Sequence, residues 1–249
     1  MIFRQLFEPL SCTYTYLLGC EETGQAILID PVIVAVERDL SELQRLGLTL
    51  AYSVDTHIHA DHITAALELK KKTGCKIAAP AFDRLPCCDV AIEEGKLFTV
   101  GSIALQPLHT PGHTAGHFSY VVDDRIFSGD ALLIEGCGRT DFQNGDADAL
   151  YKSVKEKLLS LPDEYLVYPA HDYNGRHVSS VSQEKKRNPR CGNERSLDEF
   201  RTIMAHLNLP YPKFIDYAVP GNEQCGVCPS ELPGDLEKYC EHMAFSPQG

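Results

Sequence analysis

The sequence lacks any run of about 18 or more apolar residues, the length that a membrane-spanning helix needs. Its first residues include acidic and proline side chains where a secretory signal peptide would have an apolar stretch. It also has few cations, since 23 Lys and Arg residues face 35 Asp and Glu residues and give a formal net charge of −12. A broad surface for nucleic acid or anionic membrane would need the opposite balance. These absences predict a cytoplasmic protein that binds neither nucleic acid nor membrane.

Cysteine pairs with metal-binding or redox spacing are scarce as well. Cys225 and Cys228 have the Cys-x-x-Cys spacing, but no second pair of that kind accompanies them, so a structural or incidental role is expected. The ten cysteines are scattered through a chain with enough apolar residues for a full core and without an export signal, which predicts reduced thiols. Cys87 and Cys88 are adjacent and are not expected to bridge each other.

The 249 residues are 43% hydrophobic, which suffices for one α/β domain with a small appendage. Runs rich in β-branched or aromatic residues predict strands over 13–18, 26–29, 51–54, 76–79, 103–108, 118–122 and 166–168. Helices are predicted over 63–72, 146–160, 176–188 and 197–209, the last behind a capping box of Ser196 and Glu199. Residues 1–173 thus form the predicted core. Residues 174–249 form a C-terminal helical extension, with an irregular tail after Pro210, that completes the substrate site.

Four side chains of metal-ligand type fall within six residues: His57, His59, Asp61 and His62. They lie between a predicted strand and a predicted helix, where imidazoles and a carboxylate can converge on one cation. Ordinary hydrogen bonds could not satisfy all four in a core. The alternative is a surface histidine cluster, against which the flanking strand and helix argue.

Three later residues of ligand type, His113, Asp130 and His171, each follow a strand-like run. Sites in open α/β sheets assemble where strands end, so these residues are predicted to share one site with the first group. Each alone would be a weak signal, because a lone His or Asp at a strand end most often has a capping or hydrogen-bonding role. That ordinary role is predicted for the remaining histidines: His109, His117, His177, His206 and His242.

The patterns His-x-His-x-Asp-His at 57–62, His-Thr-Pro-Gly-His-Thr at 109–114 and Ser-Gly-Asp at 128–130, with a final histidine at 171, resemble the motif set of the metallo-β-lactamase superfamily. The resemblance implies an α/β fold, the αββα sandwich, with metal at the sheet edge. In two-metal members the matching positions bind a first ion through His57, His59 and His113 and a second through Asp61, His62 and His171, with Asp130 bridging. All seven are present, so a binuclear hydrolase of the glyoxalase II type stays open.

Within that superfamily, Gly-Arg-Thr-Asp-Phe-Gln at 138–143 and the block 171–190 resemble the persulfide dioxygenase family, over nearly the whole chain. The resemblance implies an enzyme of sulfide detoxification that oxidises glutathione persulfide with O2 and water to sulfite and glutathione. Its one iron(II) ion, Fe(2+), per chain would be held by His57, His113 and Asp130, a facial triad that leaves room for substrate and dioxygen. The residues expected to orient ligands or handle protons are His59, Asp61, His62, His171 and Tyr173.

Glutathione carries two carboxylates, so a chain of net charge −12 needs local cations to hold it. Residues 176–190 contain five Lys and Arg side chains against one acid. Lys186 and Arg187 are expected on a solvated helix face. The predicted substrate-binding residues are Arg139, Tyr173, Arg176 and Arg190.

Two other functions compete with this one. The first is the glyoxalase-II-like hydrolase of glutathione thioesters with two metal ions. The second is a non-catalytic thiol-binding or sulfur-carrier protein on the same fold, against which the complete ligand set argues. The resemblance further implies a homodimer. Because no rhodanese-type domain is recognisable in the sequence, any sulfurtransferase partner is expected to be a separate chain.

Overall fold

The computed structural model describes residues 1–192 and 194–240, which form two six-stranded mixed sheets with flanking helices. The strands are β1 Ile2–Glu8, β2 Thr13–Gly19, β3 Gln25–Ile29, β4 Thr49–Val54, β5 Lys76–Pro80, β6 Val90–Ile92, β7 Phe98–Val100, β8 Ile103–His109, β9 Phe118–Val122, β10 Arg125–Gly129, β11 Leu166–Pro169 and β12 Ser179–Ser180. The α-helices are α1 Val36–Arg45, α2 Ala66–Thr73, α3 Ala147–Lys152, α4 Val181–Arg187, α5 Leu197–Ala205 and α6 Ile215–Asn222. In this described part of the chain, none of the helices is long and apolar enough to cross a bilayer.

The chain divides into two compact units. The first unit contains Met1–Ala91, Thr99–Ile103 and, of the described residues, 211–240. The second contains Ile92–Phe98 and Ala104–Pro210.

The sheet of the first unit runs from β1 to β6 in sequence order. β1, β2 and β3 pair antiparallel, whereas β3, β4 and β5 are parallel and are connected through α1 and α2. Leu17 and Leu28 of the sheet pack in one core with Leu43 of α1 and Leu69 of α2. Parallel strands end at the same edge of a sheet, so Asp30 after β3 lies beside the loop that follows β4.

The sheet of the second unit has the order β12-β11-β10-β9-β8-β7. β10 and β11 are parallel, so their carboxyl ends place Asp130 and His171 at one edge. The core beneath them joins Ile126 and Val167 of the sheet to Leu150 of α3 and Phe200 of α5. Helix α5 begins with the predicted capping box, in which Ser196 and Glu199 each accept a hydrogen bond from the other's backbone N–H.

All seven strands predicted by range are present, and the strand-like run before Asp130 is β10. Strands β1, β6, β7 and β12 are additions. Two predicted helix starts are wrong, each because the backbone is already used in pairing. Thr64 forms a β-bridge with Val32, so α2 begins at Ala66. Residues 179–180 form β12 against β11, so α4 begins at Val181. The predicted helix 146–160 is α3 followed by wider π-helical turns over Ser153–Leu158.

The tail after Pro210 is not irregular throughout, because α6 lies within it. The expected reduced state is also wrong for four of the ten cysteines. Cys87 is bonded to Cys225, at a sequence separation of 138, and Cys228 is bonded to Cys240. Folding brings these distant residues together, which spacing alone does not reveal. The role predicted for His242 lies outside the described residues.

Candidate metal centre

In the first unit, the loop after β4 packs three imidazoles against one another. The ring centroids of His57 and His59 are 4.1 Å apart, and those of His59 and His62 are 4.3 Å apart. All three rings are buried. Asp61, in the same loop, has its Oδ2 atom 3.1 Å from Nδ1 of His62. The four ligand-type residues of this motif therefore form one group.

Asp30 fixes which nitrogen of His57 carries the proton. Oδ1 of Asp30 accepts the backbone N–H of Thr56 at 2.7 Å, and Oδ2 accepts the Thr56 hydroxyl at 2.9 Å. Because that hydroxyl donates to Asp30, it must accept from Nδ1 of His57, which lies 2.9 Å away. His57 is then protonated on Nδ1 and presents the lone pair of Nε2. This is the tautomer that a metal ligand needs.

His59 is held by the same carboxylate. Its Nε2 lies 3.2 Å from Oδ1 of Asp30, whereas Nδ1 is buried without a hydrogen-bond partner in the described part of the chain. Burial lowers the pKa of His59, but the charges of Asp30, Asp61 and Asp55 and the hydrogen bond to Asp30 outweigh it and raise the pKa to about 9. For Asp55, a carboxyl group, burial acts in the opposite direction and raises the pKa to about 7. Such a concentration of buried acid around imidazoles favours a bound cation.

In the second unit, two imidazoles approach Asp130, the residue that follows β10. Nε2 of His113 is 3.4 Å from Oδ2 of Asp130, and Nε2 of His171 is 3.8 Å from Oδ1. Nδ1 of His113 donates to the carbonyl of Arg139 at 2.8 Å, so its Nε2 is directed at the carboxylate. Oδ1 of Asp130 accepts no hydrogen bond from the described residues. In this unit, one histidine thus faces each oxygen of the Asp130 carboxylate.

His117 supports Asp130 through the backbone. The Asp130 N–H donates to Nε2 of His117 at 3.0 Å, and Nδ1 of His117 lies 2.8 Å from the Thr110 hydroxyl. His117 is therefore neutral with its proton on Nδ1. The hydrogen-bonding role predicted for His117 is confirmed, and the contact shows that this role serves a candidate ligand.

Gly138 lets the segment after Asp130 return to His113. A Cβ atom at this position would lie 2.5 Å from the Asp130 carbonyl oxygen and 2.7 Å from Nδ1 of His113. Any side chain would therefore displace the loop whose next residue, Arg139, supplies the acceptor for His113.

These donors suit a divalent first-row metal. Imidazole nitrogens and carboxylate oxygens are the ligands that iron(II) takes in non-haem sites. A buried His59 nitrogen and a buried Asp130 oxygen, both lacking hydrogen bonds from the described residues, would be costly without such an ion. The residues present therefore fit a metal.

The predicted substrate residues lie in the second unit and differ in their surroundings. Arg139 forms a two-point ion pair with Asp141, at 2.6 Å for each contact, and donates to the Pro210 carbonyl at 2.8 Å. Tyr173 is 69% exposed, and its ring stacks on His171 with centroids 6.1 Å apart.

The other two arginines brace neighbouring backbone. Arg176 contacts Asp172 at 2.9 and 3.0 Å and Glu135 at 3.0 Å. Arg190 donates to the carbonyl of Cys137 at 2.5 Å. Arg176 also donates to the Ile134 carbonyl at 2.8 Å. The contact of Arg190 does not exclude a further acceptor, because a guanidinium has five N–H donors.

Sequence reasoning missed Asp30. The residue follows a strand and precedes a proline, as many turn residues do, and its backbone has φ of +50°, in the left-handed region. A lone acid directly after a buried β-run was the signal that could have identified it.

Known proteins resemble this chain over most of its length. Residues 12–171 match the family model described as the metallo-beta-lactamase superfamily. The human protein named persulfide dioxygenase ETHE1, mitochondrial, is 49% identical over 230 residues, which cover 91% of this chain and 89% of that protein. The crystal structure of ETHE1 from Myxococcus xanthus has a TM-score of 0.89 and 52% identity, and covers 91% of this chain and 100% of that one. The predicted fold class is thereby confirmed.

A hydrolase is also similar, over less of the chain. The hydroxyacylglutathione hydrolase of Methylococcus capsulatus is 38% identical over 168 residues, which cover 66% of this chain and 64% of that protein. The similarity to the dioxygenases thus extends over a larger share of the chain than the similarity to this hydrolase.

Proposed function

The chain belongs to the metallo-β-lactamase superfamily and, within it, to the persulfide dioxygenases, and we propose that it oxidises glutathione persulfide with dioxygen and water to sulfite and glutathione at one iron(II) ion. The ligands in this proposal are His57 of the first unit and His113 and Asp130 of the second. The observation that carries the proposal is the 49% identity over 91% of the chain, since residues beyond the metal motifs must match to reach that coverage.

The chain prepares each proposed ligand before metal binds. Thr56 and Asp30 keep the proton of His57 on Nδ1. The Arg139 carbonyl does the same for His113. Asp130 supplies the negative charge, and its backbone is held by His117. An iron(II) ion held by these three residues would supply the redox chemistry between the persulfide sulfur and dioxygen.

Four further residues are proposed to orient ligands and to move protons: His59, Asp61, His62 and His171. His59 and His62 each have one ring nitrogen within 3.2 Å of a carboxylate oxygen, of Asp30 and of Asp61 respectively. Nε2 of His171 lies 3.8 Å from Oδ1 of Asp130 and so faces a proposed ligand. These pairs can accept or return protons as water is consumed and glutathione leaves.

The substrate is proposed to be held by Tyr173 and by the guanidinium groups of Arg139, Arg176 and Arg190. The exposed phenol of Tyr173 stands beside His171, where it can donate to the substrate near the reacting sulfur. The contacts to Asp141 and Pro210 engage three of the five N–H groups of Arg139, so two remain for a substrate carboxylate or peptide carbonyl.

A second candidate function is the binuclear hydrolysis of a glutathione thioester. It is favoured by the complete set of seven ligand-type residues and by the 38% identity to a hydroxyacylglutathione hydrolase. One comparison separates the two: oxygen uptake with glutathione persulfide and iron(II), against hydrolysis of S-lactoylglutathione. We expect oxygen uptake with sulfite release. Thioester hydrolysis without oxygen uptake, together with two metal ions per chain, would overturn the dioxygenase proposal.

The surroundings of the enzyme are part of the same proposal. We expect a cytoplasmic homodimer that receives persulfide from a separate sulfurtransferase. Fractionation of cells and sedimentation of the purified protein test the first two expectations. The mitochondrial designation belongs to the human relative.

A further inference from the structure

The side chain of Asn222, the last residue of α6, holds three backbone groups of the histidine loop in the first unit. Its Nδ2 atom donates to the carbonyls of His59 and His62, both at 2.8 Å, and its Oδ1 accepts the N–H of Thr64 at 2.9 Å. Asn222 is buried. Buried backbone groups need partners, so this amide fixes the path of the loop at two of the histidines proposed to orient the metal ligands.

The turn that follows α6 packs on the next part of the same loop. The carbonyl of Cys225 accepts the N–H of Leu67 at 3.0 Å. Gly226 has φ of +100°, and a Cβ atom there would lie 2.1 Å from the Thr64 carbonyl oxygen. Only glycine allows so close an approach. Residues 222–228 therefore cover the loop from His59 to the start of α2.

A disulfide joins residues 222–228 to a distant part of the first unit. Cys225 is bonded to Cys87, which lies between β5 and β6. Cys225 itself is buried beside Ala66 of α2 and Ile77 of β5, whereas Cys87 is partly exposed. The turn's other cysteine, Cys228, is bonded to Cys240. Each cysteine of the Cys-x-x-Cys pair is thus committed to its own partner.

We propose that residues 222–228 are a thiol-sensitive clamp on the metal-binding loop: Asn222 positions His59 and His62, and the Cys87–Cys225 disulfide holds Asn222 in place. This inference deepens the proposed function, and it rests on that function only where iron binding is the measured quantity. The Asn222 contacts carry the positioning part. The disulfide carries the thiol sensitivity, because it joins Cys87 to Cys225, the residue whose carbonyl accepts the N–H of Leu67.

Opening the clamp requires a dithiol as reductant. One of its thiolates attacks the partly exposed sulfur of Cys87, a new S–S bond forms, and the Cys87–Cys225 bond breaks. Cys225 leaves as a thiolate and takes a proton. The second thiol of the reductant then displaces Cys87, so the reductant becomes a disulfide and the protein gains two thiols. The turn is afterwards held by hydrogen bonds and packing alone, and the loop opens more often.

The test is hydrogen exchange and iron(II) affinity on the iron-loaded full chain, with two matched double variants. Cys87→Ala/Cys225→Ala removes the disulfide that is proposed to hold Asn222, and Cys228→Ala/Cys240→Ala removes the other disulfide. We expect hydrogen exchange in peptides covering 59–67 to rise about tenfold in Cys87→Ala/Cys225→Ala and in Asn222→Ala, with no change in Cys228→Ala/Cys240→Ala. Exchange in β9 should not change in any of these variants. Iron(II) affinity should fall about 10- to 100-fold in Asn222→Ala, as for other groups that orient metal ligands.

Dithiothreitol treatment of the Cys228→Ala/Cys240→Ala variant reduces the Cys87–Cys225 bond without substituting either of its cysteines, so the proposal stays testable if Cys87→Ala/Cys225→Ala fails to fold. Reduction should reproduce the faster exchange at 59–67. Equal exchange in reduced and oxidised protein, or alkylation of Cys87 and Cys225 before any reduction, would overturn the thiol-sensitive clamp. Unchanged exchange and iron affinity in Asn222→Ala would overturn its positioning part. Exchange does not depend on substrate, so failure of the proposed reaction would leave the clamp result intact.

Discussion

Replacing Asp30 by Asn should weaken iron binding without touching a proposed ligand. The substitution exchanges one carboxylate oxygen for an NH2 group. Oδ1 must stay an acceptor, because it receives the backbone N–H of Thr56 at 2.7 Å and faces His59 at 3.2 Å. The NH2 group therefore takes the position of Oδ2 and donates to the Thr56 hydroxyl. That hydroxyl then donates to Nδ1 of His57, which puts the His57 proton on Nε2, the atom proposed to bind iron.

The expected loss is about 10- to 100-fold in iron(II) affinity, the usual effect of removing a group that orients a metal ligand. This corresponds to about 1.4 to 2.7 kcal/mol at 25 °C. The lower end applies if His57 regains its original tautomer by breaking the reversed hydrogen bond. The upper end applies if the lost negative charge also weakens binding at His59, whose pKa Asp30 helps to raise.

The assay is anaerobic competition for iron(II) against a coloured chelator, with thermal unfolding recorded on the same samples. Asp39→Asn is the matched control, because Asp39 is also a buried carboxyl group of the first unit but lies in α1 and is paired with Arg38. The control should keep wild-type iron affinity. Affinity of Asp30→Asn within about threefold of wild type, in a protein that unfolds at the wild-type temperature, would refute the tautomer argument.

Three other predictions follow from the same contacts. Asp130→Asn should lose most of the iron, whereas His171→Ala should keep about one ion per chain while its turnover falls about 10- to 100-fold. Elemental analysis measures the metal content of both variants. If wild type binds two ions per chain and His171→Ala loses one of them, the hydrolase is favoured. Arg139→Ala and Arg176→Ala should each raise KM for glutathione persulfide about 10-fold or more with iron content unchanged, because each removes hydrogen bonds from a charged group to the substrate, which are worth about 1.5 to 3 kcal/mol. Steady-state kinetics decides, and a KM within about threefold of wild type would limit both residues to their internal ion pairs. Burial raises the pKa of Asp39 to about 6 from 3.8, so the folded state binds this proton more tightly than the unfolded state does. The free energy of unfolding should therefore fall by up to about 3 kcal/mol as pH rises from about 4 to 6, and Asp39→Asn should remove that part of the slope in urea titrations.

Most of the strands could be predicted because they combine β-branched or aromatic residues with flanking turn residues, as β2 and β9 do. The starts of α2 and α4 could not be predicted, since both depend on pairing with another segment of the chain. Thr64 bonds to Val32, and residues 179–180 bond to β11. A local pattern contains no information about a partner so far away in the sequence. The same reason hid the Cys87–Cys225 bond and the Asn222 contacts.

The candidate ligands could be predicted because four separate segments each place residues of ligand type just after a strand, which single capping residues would not explain. The groups that hold them were less accessible to sequence reasoning. Asp30 and His117 act through hydrogen bonds that depend on the direction of a hydroxyl or a backbone N–H. Neither residue type nor spacing specifies that direction, so these two residues looked like ordinary turn and strand-end residues.

Substrate capture in so acidic a protein depends on how its arginines are used before substrate arrives. Arg139 is already paired with Asp141, and its hydrogen bonds hold the pKa of that carboxyl below its usual range. An arriving carboxylate therefore meets a guanidinium whose charge is largely balanced, and it gains less from charge than from the remaining N–H groups. This arrangement favours a ligand that presents several weak acceptors in fixed positions, as a peptide does, over a simple anion. It follows that glutathione persulfide should outcompete small anionic persulfides through geometry, and that added salt should reduce its capture only modestly.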